Sequence, residues 1–306
     1  MIKTIMIPLD GSETAERALP HAAALAHAFD AELVLARVPE TMVVPVMSGA
    51  VWVTEEVETD EATEQAADYL AATVNRPELK ALTVTTAVPP HPVTEGLLAT
   101  VAEHGVDLIV MTTHGYSGFK RFVFGSVGDK LIRHAPAPVY TIRETADKSP
   151  EPRFRKVMVP LDGSTVAEQA LASATELCRA TGADLTLVQV PTIPSYVTSI
   201  PETSGWIPKF LGEQTADATT YLQGIAARLE EEGLPVEIDV EVVTSGRVSD
   251  GILDSAAEHG ADLIVMCTHG RSGLGRWVFG SVADQVLRQT ERPVWLVRAG
   301  DAGCPG

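Results

Sequence analysis

The chain has 306 residues, 45% hydrophobic and 21% charged, enough apolar material for about two ordinary domains. Its formal net charge is −18, with no lysine- or arginine-rich run, which excludes nucleic acid and anionic membranes as expected partners. No apolar run reaches the ~20 residues of a membrane span; Pro8 and Asp10 end the opening apolar run too soon for a signal peptide; and Cys178, Cys267 and Cys304 lack metal-ligand spacing, which suits a reducing cytoplasm.

The chain opens with a strand over 5–9 that meets Asp10-Gly11-Ser12, and Ser12 is expected to cap the helix that follows. Ala15, Ala18, Leu19, Ala22, Leu25, Ala26 and Phe29 form its apolar face, and Pro20 inside it predicts a kink. A strand ending at Val38 comes next. The segment TMVVPVMSGAVWVT then reads as a long functional loop, and Trp52 within it as a lid or a packing residue. A polar helix over about 55–75, a strand over about 81–88 and a helix ending at Gly105 complete the middle. The unit closes with the strand DLIVM, a glycine-bearing loop, a helix from Ser126 and the strand PVYTI.

The same order then repeats. PLDGS at 8–12 returns at 160–164, with Ser164 as the second N-cap, and Gly182 ends the second copy's first helix in a left-handed cap. A strand ending at Val190 and the long segment PTIPSYVTSIPETSGWIPKF, with Tyr196 and Trp206, come next. A helix over about 213–232 ends at Gly233, a strand covers about 236–243, and a further helix ends at Gly260. The stretch DLIVM, loop, Ser281 helix and PVWLV closes the copy. The domains are expected at 1–145 and 153–300, joined by the charged, proline-bearing linker ETADKSPEPR. Alternating β and α elements predict two tandem doubly wound α/β domains, each with a five-stranded parallel sheet and helices on both faces.

In such sheets ligands bind beyond the carboxyl ends of the strands, where strand order reverses. A strand feeding a glycine loop at a helix N-terminus can hold phosphate through free backbone N–H groups. If strands one and four are neighbours, Asp10 shares that crevice, and its carboxylate can accept hydrogen bonds from ribose or adenine. An Asp-Gly pair is also an ordinary turn, so Asp10 and Asp162 carry both readings. His114 and His269 lack partner carboxylates in sequence, and Lys120, Arg121, Arg271 and Arg276 beside the loops read as solvated surface or as phosphate screens.

The residues PLDGS, DLIVM and the spacing Gly115-x9-Gly125-Ser126, repeated as Gly270-x9-Gly280-Ser281, resemble a tandem universal stress protein over nearly the whole chain. The pattern G-x2-G-x9-G-S/T marks the ATP-binding members of that family. The resemblance implies sheet order 3-2-1-4-5 and, in the first copy, an adenine and ribose site from Pro8, Leu9, Asp10 and Val38. Met111, Thr112, Gly115, Gly125, Ser126 and Val127 then hold the rest of the nucleotide. In the second copy it implies Pro160, Leu161, Asp162, Val190, Met266, Cys267, Gly270, Gly280, Ser281 and Val282.

Thr112 and Cys267 stand where the pattern has its first glycine, and a Cβ there would be strained at positive φ. Pro90-His91-Pro92 replaces the second copy's Ser245-Gly246-Arg247, which makes the second site the more orthodox one. The implied function is an ATP-binding (or AMP-binding) stress-response regulator with two sites, using Mg or Mn with the nucleotide. It acts by binding rather than turnover, since neither loop carries a P-loop lysine. A slow ATPase or adenylyl-transfer enzyme and a scaffold with degenerate sites are the alternatives. The resemblance further implies edge pairing of the last strands within one chain as a pseudo-dimer, and a homodimer of chains.

Overall fold

The computed structural model describes residues 1–48, 51–113, 126–143, 152–191, 207–241, 247–268 and 280–298. The chain divides into two compact units, the first built on Met1–Glu144 and the second on the residues from Arg153 onward.

The first unit runs β1 (Thr4–Pro8), α1 (Glu13–Glu16), α2 (Ala18–Phe29), β2 (Glu32–Ala36), β3 (Thr41–Ser48), β4 (Val51–Glu58), α3 (Asp60–Val74), β5 (Val84–Ala87), α4 (Val93–Glu103), β6 (Leu108–Thr113), α5 (Ser126–His134) and β7 (Val139–Arg143). Its parallel strands lie in the order β5-β2-β1-β6-β7. Counting those five alone, this is 3-2-1-4-5. The order reverses between β1 and β6, so the strand ends carrying Asp10 and Thr112 are neighbours.

The second unit runs β8 (Lys156–Leu161), a 3-10 turn (Ala167–Gln169), α6 (Ala170–Thr181), β9 (Asp184–Gln189), α7 (Ile207–Glu231), β10 (Val236–Val240), α8 (Val248–Glu258), β11 (Leu263–Cys267), α9 (Ser281–Gln289) and β12 (Val294–Val297). Its order is β10-β9-β8-β11-β12, again parallel.

The central strands are apolar on both sides because both sides are covered. Ile5, Met6, Ile7, Leu33, Leu35, Leu108 and Ile109 have no exposed surface, and neither have Val157, Met158, Leu185, Leu187, Leu263 and Ile264 in the second unit. Each such side chain stabilises the fold by about 1.5–3 kcal/mol relative to exposure. At the amino end of each sheet one aspartate fastens the two central strands. Asp107 Oδ2 accepts from the N–H groups of Lys3 and Thr4 at 2.8 and 3.1 Å. Asp262 Oδ2 does the same for Arg155 and Lys156 at 2.9 and 3.1 Å.

Two expectations need correction. The segment after β2 is an antiparallel hairpin, β3 and β4 paired from Thr41↔Glu58 to Ser48↔Val51. The β-branched residues of the two strands satisfy their backbone groups across the ribbon, and the helix expected from about 55 starts at Asp60. The first helix is not kinked at Pro20. It breaks earlier, at Arg17, and Pro20 sits in the first turn of α2, where an N–H has no helical partner to lose. The second unit has Ala172 at the matching place and still breaks, into the 3-10 turn and α6. The break therefore belongs to the fold, and the proline is accommodated by it.

Candidate functional site

The carboxyl ends of β1, β2 and β6 surround a cavity of about 540 Å³ in the first unit, within the range of small-molecule sites. Its floor is apolar, from Pro8, Leu9, Val38, Pro39, Leu97, Met111 and Leu131. Its polar groups are Asp10, Arg37, Glu40, Thr41, His91, Thr112, Thr113 and Ser126.

Each is placed by its element. Asp10 follows β1 and closes an Asx turn, its Oδ1 accepting from Ser12 N–H at 2.9 Å. Gly11 takes φ 86°, which only glycine holds without strain. Ser12 caps α1 by accepting from Ala15 N–H at 3.1 Å. Ser126 and Val127 open α5, whose first-turn N–H groups lack helical acceptors. Gly128 lets α5 approach Met111, since a Cβ there would lie 3.1 Å from Met111 Cε. Thr113 is tied to β7, its hydroxyl donating to Ile142 O at 3.4 Å.

Of the ten residues anticipated in the first copy, Pro8, Leu9, Asp10, Val38, Met111, Thr112, Ser126 and Val127 line this one cavity. Gly115 and Gly125 lie outside the described residues, as do His114, Lys120 and Arg121. In the second unit Pro160 and Leu161 are buried at the end of β8. Asp162 repeats the Asx turn, accepting from Ser164 N–H at 3.0 Å and from its hydroxyl at 2.6 Å. Val190 follows β9, Met266 and Cys267 end β11 and are buried, and Ser281 and Val282 open α9. Gly280 caps that helix, and its N–H donates to Thr268 O at 2.7 Å, joining the end of β11 to the start of α9. Gly270, His269, Arg271 and Arg276 lie outside the described residues, as do Tyr196, Trp206, Ser245 and Gly246; of the Trp52 side chain nothing is described.

Among the described residues the one non-glycine at positive φ is Asp30, so Thr112 and Cys267 carry their Cβ atoms in strand conformation without strain. Thr112 faces the cavity. The Cys267 thiol donates to Val166 O at 2.9 Å, which fixes it as a buried spacer beside the 3-10 turn. The prolines before α4 also have a packing role. A Cβ on Gly96 would meet Pro90 O at 2.3 Å, so the turn carrying His91 rests directly on the helix.

Sequence reasoning missed a second shared device. Tyr69 donates from its hydroxyl to Glu16 Oε1 at 2.8 Å, and Tyr221 donates to Glu168 Oε1 at 3.0 Å. Burial first, then the bond to the carboxylate and its charge, push the Tyr69 hydroxyl up to about 12; the same causes raise Tyr221. Arg76 also pairs with Glu16. Aligning the two copies would have exposed the pair, because tyrosine follows glutamate at one spacing in both. Arg37, missed as well, lies with its guanidinium 4.4 Å over the Tyr69 ring centroid.

A parallel doubly wound sheet, twice over, with a ligand-sized cavity at the switch point of the first copy, defines the class. The family model of universal stress proteins matches residues 1–143 and 153–298, and the chain belongs to the universal stress protein family. It is 30% identical to a universal stress protein of Methanocaldococcus jannaschii over 161 residues, 52% of this chain and 91% of that protein. It is 27% identical to one of Mycolicibacterium smegmatis over 303 residues, 96% of each. Among solved structures, a universal stress protein of Archaeoglobus fulgidus matches with TM-score 0.70 at 21% identity, covering 97% of this chain and 98% of that one; this likeness speaks for the fold.

Proposed function

We propose that the chain is a stress-response regulator that binds an adenine nucleotide, ATP or AMP, and acts through binding rather than turnover. The observation that carries this reading is the convergence of Asp10, Val38, Met111, Thr112 and Ser126 on one cavity at the switch point. Its apolar floor suits a base, a carboxylate beside it suits ribose hydroxyls, and the α5 N-terminus suits phosphate. Mg²⁺ or Mn²⁺ would arrive with the phosphates, since no group of three or more metal-ligating side chains occurs among the described residues. A second site in the other unit would use Asp162, Met266 and Ser281.

The reading extends to a reducing cytoplasm as the setting; among the described residues no helix is long and apolar enough to cross a membrane. It extends also, by the family resemblance, to pairing of PVYTI with PVWLV within the chain and to a homodimer of chains, which light scattering tests. Calorimetry with ATP and Mg²⁺ should show binding, and Asp10→Ala should weaken the first site about tenfold. Absence of heat and of any thermal shift would sink the reading, and phosphate release well above background would replace binding with turnover. One observation favours a scaffold as the second reading: Met42, Val43, Met47, Val53 and Val57 on the β3–β4 hairpin are all exposed.

A further inference from the structure

Arg37 is built into the cavity wall as a fixed cation whose ion pair among the described residues is with exposed Glu40. It directly follows β2, where its N–H donates to Ala87 O at 3.0 Å. Its side chain is only 16% exposed. The guanidinium lies over the Tyr69 ring, and that ring is held in turn by Glu16. Gly11 lies against it so closely that a Cβ there would be 3.0 Å from Nη1. Its ionic partner among the described residues is Glu40, 3.9 Å away and 88% exposed, an arrangement of little energetic value. A guanidinium does not lose its proton and carries five donors. Mostly buried, and among the described residues without a hydrogen-bond acceptor, it has donors to offer on the cavity side.

Its position says which acceptor fits. Arg37 stands at the end of β2 and Ser126 beside the end of β6, with β1 between them. Strands are spaced ~4.8 Å apart, so the two anion-attracting features are on the order of 10 Å apart, on either side of the Asp10 turn. A nucleotide with its 5′-phosphate at α5 brings its ribose to that turn and the ribose edge toward Arg37. In dinucleotide-binding doubly wound folds an arginine near the ribose accommodates its 2′-phosphate, a precedent for the chemistry Arg37 offers here. The second unit has Gln189 at the matching place, without charge.

We infer that the first unit's cavity recognises an adenine nucleotide bearing a second phosphate on its ribose, and that Arg37 reads that phosphate. The inference rests on the nucleotide reading above. Titration calorimetry of the intact chain with AMP, adenosine 2′,5′-bisphosphate and adenosine 3′,5′-bisphosphate tests it. At least one bisphosphate should bind one site per chain about tenfold more tightly than AMP. Arg37→Gln should bring the ratio of the two dissociation constants to about one, and Arg37→Lys should keep part of it. Equal affinity for all three ligands in the unsubstituted protein overturns the inference and leaves the nucleotide reading standing, as does a preference that survives Arg37→Gln. If none of these ligands nor ATP binds, the nucleotide reading falls and this inference with it. Should Arg37→Gln unfold early in a thermal scan, the unsubstituted ratio and Arg37→Lys still decide.

Discussion

The two units agree at the base of the sheet and differ around the ligand end. Both fasten their central strands with an aspartate, Asp107 or Asp262, and both anchor a helix with a glutamate–tyrosine pair. Both also close the same Asx turn. At the carboxyl end, Arg37 faces Gln189 in the comparison and Thr112 faces Cys267. Residues that hold backbone together are tied to main-chain geometry that every copy of the fold must reproduce. Residues that line a cavity answer only to what enters it, so they are free to diverge.

The largest break in this comparison lies under α2. His21 Nδ1 and the Tyr140 hydroxyl are 3.0 Å apart, and burial lowers the His21 pKa to about 4; the second unit has Ser173 and Trp295 there. Because the folded pKa lies below the unfolded value of about 6.5, the unfolded state binds the proton first. The first unit should therefore lose stability as pH falls from 6.5 toward 4, by up to about 3 kcal/mol. Urea titrations across that window should show His21→Ser flattening the slope, and an unchanged slope would remove His21 from the account.

Next in size, Asp107→Ala and Asp262→Ala should each cost about 2 kcal/mol, since each leaves two backbone N–H groups without their charged acceptor. Urea denaturation checks whether the two losses match; a large inequality would mean that the two bases differ after all. Tyr69→Phe and Tyr221→Phe should each cost about 1 kcal/mol by the same measurement. Smallest is a gain. Asp30 holds φ 53° where the second unit has Gly182 at 72°, so Asp30→Gly should stabilise the first unit by about 0.5 kcal/mol, seen as a small rise in Tm.

Much of this was legible in the chain. The alternation of apolar runs with amphipathic helices dictates a parallel sheet, and the repeated Asp-Gly-Ser marks where strand one turns. Eight of the first copy's anticipated residues meet at one cavity because strand ends bring them there. What escaped depends on contacts remote in sequence. No local pattern says that Arg37 will lie on Tyr69, or that the Cys267 thiol will find Val166 O. The β3–β4 ribbon reads as a functional loop from its length; Pro45 is accommodated because both strands of a two-stranded ribbon are edges. The break at Arg17 was misassigned to Pro20; the second copy breaks at the same place with Ala172 where the first has Pro20.

The glutamate–tyrosine pair also fixes a length. In both copies its members stand 53 positions apart, so the intervening chain is a cassette of fixed length between two equivalent bolts. The segments between them have diverged in sequence without any net insertion. An exchange of those segments between the halves would keep every downstream residue in phase, which makes the pair natural splice points for transplanting the Arg37–Thr41 wall of the cavity while Asp10, Thr112 and Ser126 stay in place.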